Sequence, residues 1–155
     1  MSRIPTLLTC AAACAVSTLA LASASGATAP AREAHAATVD LRHTAVGTIL
    51  TSSSGFTLYE FTRDHGAHNS CLAVKGCAAA WPALETSGTP TAGPGVESSL
   101  LSTTRLPAGA RQVTYAGHPL YLFAGDEKPG ATSYVGVNEF GGAWDAVSAH
   151  GGAVK

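Results

Sequence analysis

The sequence predicts a mainly β fold. It should be a single small domain of two pseudo-symmetric antiparallel β-units, with long loops and at most one or two short helical turns. Three observations carry this. Val46, Thr48 and Leu50 alternate with Gly47, Ile49 and Thr51, the turn cluster Ser52–Gly55 follows, and Phe56–Thr62 then has strand composition, which together read as a β-hairpin. The string Leu58-Tyr59-Glu60-Phe61-Thr62-Arg63-Asp64 recurs 62 residues later as Leu120-Tyr121-Leu122-Phe123-Ala124-Gly125-Asp126, the mark of an internal repeat. Between the copies, Pro82–Pro107 is rich in Gly, Pro, Ser and Thr, and Thr89–Gly95 within it reads as loop.

At the N-terminus, Arg3 is the only charge before residue 32, and an Ala/Leu-rich run extends from Leu7 to about Ala22. Small-residue sites close it at Ala24, Ala29 and Ala36. A positive start, a short apolar run and an A-x-A end describe a secretory signal peptide, expected over residues 1–24. The run falls short of the ~20 residues that span a bilayer, so no transmembrane segment is expected in the mature chain. Cys14 follows Ala11-Ala12-Ala13, but the apolar stretch before it is too short for a lipid-anchor site. Free secretion or association with the extracytoplasmic envelope is the expected location. Residues 25–44 are Ala/Ser/Thr-rich with Pro30, and read as a flexible linker.

The domain is expected over 45–148, with copy 1 at about 45–88 and copy 2 at about 105–148. In copy 1, Tyr59 and Phe61 share one strand face, which should be the buried one. Ala78–Trp81 reads as one helical turn stopped by Pro82, whose ring cannot continue a helix. Val96–Leu101 reads as a short strand. In copy 2, Gln112–Tyr115 reads as a strand and Ala116–Pro119 as a turn. Leu120–Phe123 reads as a strand apolar on both faces, hence central. Val135–Val137 begins another strand, and residues 149–155 form a frayed tail.

Charged residues make up 12% of the chain and the net charge is −1. There is no clustered basic face of the kind nucleic-acid binding requires. Signal removal takes Cys10 and Cys14, leaving Cys71 and Cys77. Two cysteines in an exported chain read as one structural disulfide. The competing reading is a thiolate metal site or redox pair, but redox pairs carry two intervening residues rather than five.

Tyr59-x-Phe61-x-x-Asp64 and Tyr121-x-Phe123-x-x-Asp126, with Cys71, Cys77 and Trp81-Pro82, resemble the signature of a secreted and lipoprotein repeat family of unknown function, known by its tandem Tyr-x-aromatic-x-x-Asp motif. The resemblance spans Val46–Val147. It implies an exported bacterial protein of the cell envelope and supplies no catalytic residues.

The repeated residues Tyr59, Phe61, Asp64, Tyr121, Phe123, Asp126, Trp81 and Trp144 read as scaffold. Each Asp can close the turn of its own hairpin, and a buried Tyr hydroxyl needs a partner. Three sharper readings compete. Asp64 and Asp126 could form the carboxylate pair of a small hydrolase, such as a glycosidase. Asp64, His65 and His68 could hold a transition metal in a metal-binding or redox-partner module, since carboxylate and imidazole suit such ions. Trp81 and Trp144 could form an exposed platform for glycans. No G-x-S-x-G elbow, phosphate loop or haem attachment is present. The leading expectation is a non-catalytic binding or structural module with no cofactor, whose partner is a small molecule or an envelope component.

Overall fold

The computed structural model describes residues 35–155. The expected signal peptide and residues 25–34 of the expected linker lie outside them. The described chain is mainly β, as predicted. Strands β1 (Thr38–Thr44) and β2 (Gly47–Ser52) form an antiparallel hairpin with Leu41 opposite Leu50. Short strands β3 (Tyr59–Phe61), β4 (Glu85–Thr86) and β5 (Thr91–Ala92) follow. Then come β6 (Leu101–Arg105), β7 (Arg111–Tyr115) and β8 (His118–Pro119). The chain closes with β9 (Val137–Glu139), β10 (Gly142–Val147) and β11 (Ala153–Val154). Three small sheets result, ordered β2-β1-β5, β11-β10-β3 and β4-β7-β6, with β9 added to β10 and β8 to β7.

Several expectations are corrected. Residues 38–44 are strand rather than flexible linker. Val39 and Leu41 alternate with Asp40 and Arg42, and Val39 is fully buried in the core. Pairing with β2 and, in parallel, with β5 satisfies the backbone. The strand expected at 96–101 starts instead at Leu101, after a 3-10 turn at Ser98–Leu100. The tail is not wholly frayed, because Ala153 and Val154 pair with Val147 and Ala146.

Leu120–Phe123 is bonded on both sides but makes only isolated bridges, to Tyr59 and to Ala83. Tyr59 and Tyr121 exchange both backbone bonds at 2.9 Å. On the other side, Leu122 N–H donates to the Pro82 carbonyl and Leu84 N–H to the Leu120 carbonyl. Leu120 and Tyr121 are fully buried, so the segment is central in packing although it builds no regular ladder.

Two tight turns set the aim of the site. Ala116-Gly117 (φ 49° and 85°) joins β7 to β8, and Phe140-Gly141 (φ 56° and 87°) joins β9 to β10. Two consecutive positive φ values give the type I′ geometry whose twist matches antiparallel strands. Gly142, just inside β10, lets the chain approach closely. A Cβ there would lie 2.7 Å from the Phe61 ring.

Two apolar clusters form the core. One gathers aliphatic residues, among them Val39, Leu50, Leu58, Val113, Leu120 and Val147. The other is aromatic, built from Tyr59, Phe61, Trp81, Tyr121 and Trp144 against the Cys71–Cys77 disulfide. Helical turn α1 (Cys77–Ala80) presents Trp81 to this cluster.

The two copies interleave rather than fold as separate hairpin units. Phe61 in copy 1 stands opposite Trp144 in copy 2. Thr62 N–H donates to the Ala143 carbonyl at 2.9 Å, and the corresponding Ala124 N–H donates to the Ala80 carbonyl at 2.8 Å. Each motif segment therefore borders the Trp segment of the other copy.

Candidate functional site

The repeated motif residues converge on one aromatic stack. The Trp81 and Trp144 rings lie parallel, 3.9 Å apart with 2° between planes. Tyr59 meets Trp81 edge-on at 5.1 Å, and Tyr121 meets Trp144 edge-on at 5.1 Å. Phe61 stacks on Trp144 at 4.1 Å, and Phe123 leans on Trp81 at 4.5 Å. Both indole N–H groups donate to Glu139, Trp81 to its carboxylate and Trp144 to its carbonyl. Both Trp residues are fully buried. The exposed glycan platform considered for them is thereby overturned: the indole faces are spent on each other and on the phenyl rings.

The two Asp residues serve the opposite copy. Tyr121 donates its hydroxyl to Asp64 Oδ2 at 2.7 Å, and Tyr59 donates to Asp126 at 3.2 Å. Asp64 also accepts the Ser70 N–H at 2.7 Å, which ties the disulfide loop to the stack. The expectation that each Asp closes its own hairpin is thus only half met. Asp64 closes the local loop, but both carboxylates also hold tyrosines of the other copy. Burial raises the carboxyl pKa of Asp64, against the lowering effects of Ser70, Tyr121 and His68. Burial likewise raises Asp126, against the Tyr59 hydroxyl. Both tyrosine hydroxyls are pushed upward, by burial first and then by the adjacent carboxylates, so they stay protonated donors.

The residues proposed as metal ligands do not gather. Asp64 points into the stack, while His65 and His68 are exposed. Among the described residues, no three His, Cys, Asp or Glu side chains converge on a common point for an ion. Cys71 and Cys77 are bridged and fully buried, as expected of a structural disulfide. Asp126 borders an open cavity of about 500 Å³ with Phe56, Leu122 and Phe123, whereas Asp64 does not line it.

Sequence reading missed a second group of residues. Glu60 and Asp145 stand directly opposite each other across β3 and β10. They are 7% and 1% exposed. Glu60 Oε2 and both Asp145 oxygens lack a hydrogen-bond partner. His118, the first residue of β8, brings Nδ1 to 3.6 Å from Glu60 Oε2, and its side chain is 44% exposed. Burial raises the Glu60 carboxyl pKa; His118 lowers it, while Asp145 and Asp64 raise it. In the sequence, Glu60 and Asp145 sit on the strand face opposite the aromatics, where a charge ordinarily reads as solvent-facing. Nothing local announces that the His118 turn covers them.

Residues 102–148 match the model of a family described as a secreted repeat of unknown function. This covers most of copy 2 and agrees with the resemblance read from the motifs. The family description supports an extracytoplasmic location. No helix among the described residues is long and apolar enough to cross a membrane. No curated protein and no solved structure matches the chain.

Proposed function

We propose that the chain is an exported, envelope-associated module that binds a partner or serves as a structural part, without catalysing a reaction. In this reading the Tyr-x-aromatic-x-x-Asp motif is an architectural lock. The observation that carries it is the crosswise pairing of Tyr121 with Asp64 and Tyr59 with Asp126 around a buried Trp pair. Groups committed in this way to each other are not left open to a substrate. A hydrolase built on Asp64 and Asp126 would need both carboxylates facing one substrate with room for water. Here each is tied to a tyrosine of the other copy, and the adjacent cavity borders only one of them.

The test is the paired substitution Asp64→Asn and Asp126→Asn. The expected result is a less stable protein with no change in any measurable turnover of envelope glycans or esters. A specific turnover in the wild type that vanishes in variants that still fold would overturn the reading. Cell fractionation checks the location separately: recovery in the envelope or medium is expected, and a purely cytoplasmic mature protein would refute it.

A further inference from the structure

Two carboxylates facing each other across an antiparallel pair are an unusual choice for a strand. Directly opposite residues hold their Cβ atoms about 5 Å apart, and like charges in that position repel. Burial makes the problem worse. An ionised carboxylate removed from water is strongly destabilising unless it is paired or hydrogen-bonded. Neither Asp145 oxygen is hydrogen-bonded, and Glu60 Oε2 has no hydrogen bond and only His118 Nδ1 at 3.6 Å beside it. Something must neutralise part of this charge. A cation would need further ligands, but no three ligating side chains converge among the described residues. A proton needs no space. It converts one acceptor-only carboxylate into a donor, for which the carboxylate opposite is an acceptor.

We propose that Glu60 and Asp145 form a proton-sharing carboxyl pair, holding one proton between them, whose loss weakens the β3–β10 pairing. The charged groups bearing on Glu60, besides Asp145, are His118 at the start of β8 and Asp64 from the loop after β3. His118 is half-exposed and gives the pair its link to solvent. Its imidazolium favours ionised Glu60, whereas burial, Asp145 and Asp64 favour the protonated form, burial being the largest influence. The pair matters to the whole fold because β3 and β10 carry Phe61 and Trp144 on their opposite faces. When both acids are ionised, repulsion acts on the strands that hold the aromatic stack together.

The experiment is thermal unfolding of the full domain between pH 4 and pH 9, for wild type, Glu60→Gln and Asp145→Asn. A single proton held by the folded state alone changes the folding equilibrium by about tenfold per pH unit across its window. Glu60→Gln replaces the protonated carboxyl with an amide that donates at every pH. It should keep the acid-side melting temperature at pH 8 and remove about one proton from the pH slope. Backbone amides of β3 and β10 should exchange faster at pH 8 than at pH 5 in wild type, after correction for intrinsic rates, and not in Glu60→Gln. An unchanged slope in Glu60→Gln would overturn the proposal. So would a rise of the wild-type melting temperature at pH 8 to its acid value on adding Ca²⁺, Mg²⁺ or Zn²⁺, since a cation and not a proton would then occupy the pair. If the variants fail to fold, carboxyl carbon NMR on labelled wild type decides. One of the two carboxyls staying protonated well above the ordinary carboxylate range supports the pair, and both titrating at ordinary values refutes it.

Discussion

Tyr121→Phe removes one oxygen atom and leaves the ring and its edge-on contact with Trp144 in place. Tyr121 is fully buried, and its hydroxyl donates to Asp64 Oδ2 at 2.7 Å. A hydrogen bond to a charged acceptor contributes about 1.5–3 kcal/mol. Asp64 retains the Ser70 N–H at 2.7 Å, so its carboxylate is not orphaned, and the expected loss is about 2 kcal/mol. That is roughly 30-fold in the folding equilibrium, and about 8 °C in melting temperature for a domain of this size. Tyr59→Phe is the internal control. Its hydroxyl reaches Asp126 only at 3.2 and 3.4 Å, and Asp126 is half-exposed. Its loss should stay below ~1 kcal/mol. Urea unfolding followed by tryptophan fluorescence and circular dichroism measures both. A Tyr59→Phe variant that loses as much as Tyr121→Phe would refute the ranking by geometry. A Tyr121→Phe variant within ~0.5 kcal/mol of wild type would refute the lock itself.

Further outcomes follow from the same structure. Tyr121→Ala should cost ~3 kcal/mol or more, since it also opens a cavity beside Trp144; a denaturant midpoint close to wild type would mean the stack re-closes. Reducing Cys71–Cys77 should cost about 2 kcal/mol for so short a loop. Because both sulfurs are buried, native protein should resist mild reductant, as thiol labelling would report. Gly142→Ala should cost about 1–3 kcal/mol by forcing Phe61 off Trp144, and near-UV circular dichroism should lose intensity with it. Burial raises the carboxyl pKa of Glu60, Asp64 and Asp126 above their unfolded values. The folded chain therefore holds protons that the unfolded chain has released. The resulting stabilisation is complete below the ordinary carboxyl range and is lost as pH rises through the raised values. Calorimetry should find the melting temperature falling from mildly acid towards neutral pH, the reverse of proteins rich in ion-paired carboxylates.

The parts of the fold legible in the sequence were those written in local pattern. Tyr59 and Phe61 alternate with polar neighbours and are buried as that alternation requires. Cys71 and Cys77 pair as their number in an exported chain suggests. β1 was missed because only Val39 and Leu41 carry its alternation, amid Thr, Asp and Arg; its place is set by β2, with which it pairs. Leu120–Phe123 has strand composition, yet Pro119 cannot donate to a ladder and its neighbours are single bridges. The site was legible in its residues and illegible in its pairing. Repetition picked out Asp64 and Asp126, but no local rule says that each would hold a tyrosine 57 or 67 residues away. Glu60 and Asp145 carried no signal, because opposition across two strands and cover by a third segment are products of tertiary structure.

The interleaving of the two copies also fixes an order of events during synthesis. Copy 1 emerges first, but Phe61 waits for Trp144 and Tyr59 for Asp126. The contacts that complete the aromatic core span most of the domain, and closing such long loops early is entropically costly. Within the first half β1 pairs with β2, but β3 has no strand partner until β10 arrives. The segment counted as one repeat, residues 102–148, is in the same position: alone it lacks the Asp64 acceptor and the Phe61 ring. What sequence comparison treats as the unit of duplication is not a unit of folding. A polypeptide whose aromatic core stays open until β10 is present is also one that can be threaded through a narrow export channel before that core closes.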